Sequence, residues 1–287
     1  MSPSILMRRE NALLYPVLSL VAILVTMIFL FPIFWSLSTS IRMPLDTFTA
    51  RGFGLPWLDF EPTLDHWRTE LAMPQAQLAL KNSATVAGSA TLLALLLGTP
   101  AGYALARFRF ERIANRDITI WFLAQRILPA VATVIPHYLV MRWLGLLDTH
   151  LALVLLDATF VLPFIVVISR QAFLDLPIEI EEQALVDGAT HWGSFWRIAL
   201  PLSTPSIAAV GLIAFAFNWN EFLFALTISS QAAVTVPVRM LWAIDTRGVH
   251  FWTLGTRAMI AMLPPLVLAL LAQKWIVRGM TMGSIKG

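Results

Sequence analysis

Between Pro177 and His191 the chain carries four acids, Glu179, Glu181, Glu182 and Asp187, and no base. Pro177 suits the first turn of a helix, where its missing N–H costs nothing. Ile178 to Val186 follows as one short helix, and Gly188 permits the backbone reversal that ends it. Thr190 is placed to cap a second short helix, and Pro201 marks the start of the next apolar run. Ala184, Leu185, Val186 and Ala189 leave a small, partly apolar face beside the carboxylates. This chemistry is that of docking, in which small residues give shape and charge gives orientation.

A second polar set sits in apolar surroundings: Arg126, Asn218, Trp219, Asn220 and Glu221. A charge at the centre of a membrane helix costs about 2.5–3.5 kcal/mol on insertion scales, so such groups usually face a bundle interior and pair. Two arrangements are open. The set lines a pathway, offering hydrogen bonds and the Trp219 ring to a polyol or sugar; or its role is structural, either as an internal Arg126–Glu221 bridge or as polar pairing with a partner chain that stabilises assembly.

Covalent chemistry finds no constellation. There is no cysteine, which removes disulfides, thiol catalysis and cysteine-type zinc sites. No GxxxxGK[ST] phosphate cradle occurs, and none of the three lysines follows a glycine. HExxH and GxSxG are missing as well. His66, His137, His150, His191 and His250 lack ligand-like spacing. No catalytic residue and no metal site is expected.

The elements that must position these groups are set by composition. Of 287 residues, 58% are hydrophobic and 13% charged, against about 25% charged in a soluble domain. Six apolar runs, near 14–39, 83–106, 118–142, 151–174, 202–228 and 254–276, are each long enough to cross a bilayer as a helix. Backbone groups in lipid must bond internally, and a barrel's alternating pattern is absent, so the expected fold is all-α. The first run is about twice the length of a signal-peptide core and lacks a small-residue cleavage site, so it reads as a retained helix. Basic residues divide eleven against eight between the two sets of loops. The pair Arg8, Arg9 and the dense cluster Arg107, Arg109, Arg112, Arg116 put both termini and the acidic segment in the cytoplasm. The arginine excess therefore reports topology rather than nucleic-acid binding. Prolines 100, 129, 136, 163, 205, 264 and 265 interrupt the runs, and Gly98 with Gly102 forms a GxxxG that allows close helix approach.

Glu182, Ala184, Asp187, Gly188 and Ala189, followed by Phe195, Ile198, Leu200 and Pro201, resemble the EAA loop of ABC importer permeases, with Gln183 where the motif's first alanine would stand. Arg126–Thr149, Asn218–Leu226 and Val277–Gly287 resemble the carbohydrate-uptake (maltose-type) subgroup, specifically its smaller six-span permease with a short cytoplasmic tail. The resemblance implies one transmembrane permease domain over 1–287, with a coupling loop at 177–201 between the fourth and fifth spans and a tail at 277–287. The short helix would seat in a cleft of the ATPase, coupled through Glu182, Ala184, Asp187, Gly188 and Ala189. Gly283, Ser284, Ile285, Lys286 and Gly287 would reach toward the ATPase dimer. Ser229–Thr253 would touch an extracytoplasmic solute-binding protein. The implied partners are a second permease in a heterodimer, two ATPase subunits, that binding protein and membrane lipid. This chain binds no cofactor, ATP and Mg²⁺ belonging to the ATPase. The implied location is a bacterial inner membrane. An ion-driven secondary transporter is the alternative, for which Asp157 and Glu221 are the only obvious intramembrane acids; a membrane-embedded enzyme comes third.

Overall fold

The computed structural model describes residues 3–49, 52–245 and 248–281. In chain order its helices are α1 (Pro3–Ser40), α2 (Pro44–Thr49), α3 (Asp65–Ala72), α4 (Pro74–Arg107), α5 (Asn115–Gln125), α6 (Ala130–Trp143), α7 (His150–Leu174) and α8 (Ile178–Val186). There follow α9 (His191–Ser194), a π-helical turn (Phe195–Ala199), α10 (Leu200–Trp219), α11 (Leu223–Ile228), α12 (Val236–Met240) and α13 (Phe251–Thr281). A two-residue antiparallel hairpin, β1 (Ile244–Asp245) and β2 (Gly248–Val249), precedes α13. Among the described residues, five helical stretches are long and apolar enough to cross a membrane, and the bent pair α5–α6 adds a sixth if it is counted as one span. The protein is a multi-pass membrane helix bundle.

The chain forms two compact units. In the first, comprising residues 1–73 and 243–260, the start of α13 packs closely on the end of α1. A Cβ on Gly255 would lie 3.0 Å from the Ser36 carbonyl oxygen. Ser40 is the meeting point: the Thr256 hydroxyl donates to its carbonyl and the Trp67 indole to its hydroxyl. Arg257 and Glu70 form a buried ion pair at 2.9 Å. Between positions 15 and 37, α1 exposes most of its apolar residues, as a helix facing lipid does.

The second unit, residues 74–242 and 261–287, has α4, α7 and α10 at its centre. Asn82, Val86, Ala90, Ala94, Gly98 and Gly102 fall four apart on α4 and are all buried. Such a row of small side chains forms a shallow ridge that lets a facing helix approach closely. Ala90 and Ala94 pack with Ala158, Val161 and Ile165 of α7 and Val210 and Ala214 of α10. A Cβ on Gly102 would stand 2.8 Å from the backbone of α7, at Val166 O and Arg170 N.

Three expected spans differ in outline. The second begins at Pro74, nine positions before 83, because the stretch Gln75–Lys81, made of good helix formers, continues the same helix. The third is not one helix: α5 and α6 meet at 88°, since Pro129 has no N–H to carry the ladder across and sits extended as the N-cap of α6. The fifth starts earlier, through α9 and the π turn, and breaks between Trp219 and Leu223.

Candidate functional site

The acidic segment folds as two short helices held by their caps. α8 ends in a complete Schellman motif: the Ala189 N–H donates to Ala184 O at 2.9 Å and the Gly188 N–H to Leu185 O at 3.1 Å. Gly188 makes this closure at φ +91°, where a side chain would be strained. Thr190 caps α9 by accepting from the Gly193 N–H at 3.0 Å. Pro177 stands one position ahead of the first turn, as N-cap.

Burial divides the acids. Glu179, Glu182 and Asp187 are exposed, and with Gln183 and Val186 they share one outward face, Val186 being 88% exposed. Ala184, Leu185 and Ala189 are half-buried, so the apolar face expected beside the acids is mostly turned inward, and only Val186 of the four is presented. Glu181 is buried, at 4% exposure. It accepts from the Tyr103 hydroxyl at 2.6 Å and from the Arg107 guanidinium at 2.8 Å through Nε and 2.7 Å through Nη2. Arg107 also donates to the Leu176 carbonyl. The Tyr103 ring lies against Phe173 at the end of α7, Phe195 of the π turn, and Phe108. α4, α7, α8 and the π turn therefore meet at one tyrosine. Sequence reading missed this role because Glu181 is 74 residues from Arg107 and looks no different from its exposed neighbour.

The intramembrane set is dispersed. Asn218 donates to Thr91 Oγ1 at 3.1 Å, tying α10 to α4. The Trp219 indole, 3% exposed, donates to the Ala261 carbonyl of α13. Asn220 is exposed and donates to Ala216 O within its own helix end. Glu221 accepts from the Phe224 and Ala225 amides at 2.8 and 2.9 Å, capping α11. Arg126 does not bridge Glu221. It lies over the Phe160 ring at 4.8 Å and donates to the Phe160 carbonyl, a cation–π contact that satisfies part of its charge. Trp219, expected as a stacking face for a ligand, is instead spent on packing, stacked on Phe215.

Beside Arg126, at the α5–α6 bend, lies a cavity of about 170 Å³ lined by Gln125, Leu128, Thr133, His137, Leu156, Thr159, Phe160, Pro163 and Phe224. Its amide, hydroxyls, imidazole and two aromatic rings give it a mixed polar and apolar lining. Asp157 is 2% exposed in α7, and its Oδ1 has no hydrogen-bond partner. Among the described residues no three His, Asp or Glu side chains cluster as metal ligands. The tail residues Gly283, Ser284, Ile285, Lys286 and Gly287 lie outside the described residues.

At the end of the unit away from α8, a second polar layer fixes the loop after α11. Asn82 donates to the Ala232 and Val234 carbonyls and meets His150 through its oxygen at 2.7 Å. Asp148, at φ +57°, accepts from the amides of Ser230, Gln231, Ala232 and Ala233. Burial alone would raise its carboxyl, but those four N–H groups hold it well below the usual carboxylate range.

The chain resembles known proteins along most of its length. It is 31% identical over 259 residues to a probable ABC transporter permease of Sinorhizobium fredii, covering 90% of this chain and 91% of that one. It is 31% identical over 283 residues to a trehalose/maltose transport system permease of Thermococcus litoralis, covering 97% and 99%. A sulfoquinovosyl glycerol transport system permease of Agrobacterium fabrum matches at 30% over 90% of this chain and 89% of its own. The fold matches a bacterial ABC transporter that imports alginate, with TM-score 0.76, 20% identity and coverage of 93% and 98%. Residues 98–282 match the family described as the binding-protein-dependent transport system inner membrane component, a segment that holds the α8 loop, the bent pair and the close approach of Gly102 to α7, and the chain belongs to that family.

Proposed function

We propose that this chain is one of two permease subunits that form the pore of an ATP-driven importer for a carbohydrate or carbohydrate derivative. The observation that carries the reading is the outward face of α8: acids and one exposed valine on a helix closed by Gly188 and held to the bundle through Glu181. Such a face suits a cleft on a separate ATPase, with Glu182, Ala184, Asp187, Gly188 and Ala189 as the coupling segment. ATP and Mg²⁺ bind that partner, and this chain performs no catalysis. Closure of two ATPase subunits moves α8 and tilts the spans between inward- and outward-facing states. The loop Ser229–Thr253 receives an extracytoplasmic binding protein, Gly283–Gly287 extends toward the ATPases, and both termini lie in the cytoplasm of a bacterial inner membrane. The sugar class is supported by relatives named for trehalose/maltose and sulfoquinovosyl glycerol transport. Within this subunit Arg126 and the adjoining cavity suit a solute path better than Asn218 or Trp219, which are buried in the packing of α10 against α4 and α13.

The test is co-purification in detergent with a cognate ATPase. Wild type should retain it and show solute- and binding-protein-stimulated hydrolysis. Gly188→Pro, which removes the N–H that closes α8, and Asp187→Lys, which reverses a docking charge, should lose coupling. A chain that retains no ATPase and moves solute down an ion gradient would instead be a secondary transporter.

A further inference from the structure

The α8 face explains where force enters the subunit but not how it leaves the loop. A short helix on two flexible connections would swivel when pushed. Three observations show a stiff route. The Glu181 side chain is 6% exposed and the Arg107 side chain 9%, so neither charge has water as an alternative partner. Two nitrogens of Arg107 converge on Oε1, and Tyr103 donates to Oε2 of the same carboxylate. Both donors sit on the last turns of α4, whose Gly102 is in backbone contact with α7. A carboxylate fixed by three donors cannot rotate without breaking charge-assisted bonds.

We propose that Glu181 is the positioning residue that makes α8 and α4 one rigid body, so that displacement of α8 is delivered to the α4–α7 pair. The exposed Glu182 faces the partner, and the buried Glu181 holds the lever to its shaft. The inference rests on the reading of α8 as the ATPase seat.

Two measurements on the full chain test it. The chain contains no cysteine, so spin labels can be placed by Val186→Cys on α8 and Leu97→Cys on α4, positions that are 88% and 56% exposed. With the native Glu181 the distance between labels should be narrowly distributed in the isolated chain. Glu181→Gln, which keeps shape and removes charge, should broaden it. In proteoliposomes holding the whole complex, Glu181→Gln should retain the ATPase, while solute imported per ATP hydrolysed falls roughly tenfold, the scale of one lost hydrogen bond to a charged group. Tyr103→Phe keeps the ring and removes one donor, and should shift both readouts in the same direction by less. It decides the matter if Glu181→Gln yields no folded chain. A narrow distance distribution and an unchanged transport-to-ATP ratio in these variants would overturn the proposal. If the wild-type chain binds no ATPase, the importer reading fails and the transmission role fails with it, while the label pair still reports whether the joint exists.

Discussion

Asp148 shows how much one carboxylate can organise. Four consecutive amides, Ser230 to Ala233, point at it, and its own N–H donates to the Ile228 carbonyl. Each amide would otherwise need water or a turn of its own. Because the folded carboxyl is held below its unfolded value, its contribution is complete above the ordinary carboxylate range and is lost only as the pH falls through the depressed folded value. The loop should therefore stay closed at mildly acidic pH and open only in strong acid. Asp148→Asn replaces one acceptor oxygen by a donor facing donors. It should cost about 1 kcal/mol, the group being partly open to water, and speed amide exchange at Ser230–Ala233 with little change elsewhere. Unchanged exchange there would mean that the loop is held by Asn82 alone. Glu181 makes the complementary point. Its value lies in burial, and nothing in its immediate neighbours distinguishes it from Glu182.

Among the helices, the contrast between α8 and α4 concerns what a glycine is for. At Gly188 the backbone itself demands it, at φ +91° with open space around the missing Cβ. At Gly102 the conformation is ordinary and the neighbour demands it. Gly102→Ala should destabilise by about 1–3 kcal/mol, the usual cost of overpacking, because α7 backbone rather than a flexible side chain stands in the way. Gly88→Ala on the same helix meets nothing within 4 Å and should be neutral or slightly stabilising. Thermal unfolding of the two detergent-solubilised variants checks the difference, and equal midpoints would show that α4 and α7 can part without cost. The caps of α8 and α9 were readable because they are local: a glycine and a threonine specify their own hydrogen bonds. The GxxxG was readable as a tendency, but its partner helix was not, since the residues it meets lie more than sixty positions away.

For the molecule as a whole, the apolar runs were legible because hydrocarbon thickness imposes a length, and a length can be counted along a chain. The division of the third run into α5 and α6 was not, because Pro129 by itself reads equally as a mild kink; only the packing of both halves fixes the 88° bend. The pathway set was legible as polar and illegible as a site, since Asn218 and Trp219 find partners on α4 and α13 that no spacing rule supplies. Orientation rests on arginine placement, and the structure adds an internal consistency. Arg107 and α8 share one end of the second unit, and Asp148 and the loop after α11 share the other. A membrane-impermeant thiol reagent on intact cells should accordingly modify Gln231→Cys and leave Ile113→Cys untouched, and the reverse pattern would invert the chain.

The bend between α5 and α6 also bears on insulation. α5 closes through the Arg126 and Ile127 amides, which donate to Leu123 O and Ala124 O, but α6 begins at Ala130 with no side chain capping its first amides, so one open helix end lies at the bend. Hydrocarbon cannot solvate those amides. The adjoining cavity, about 170 Å³, has room for several waters at roughly 30 Å³ each. Water or neighbouring protein, rather than lipid, must therefore meet these amides wherever the bend lies at membrane depth. Where the bend faces neighbouring protein rather than lipid, tightness to ions is a property of the assembly and not of one chain.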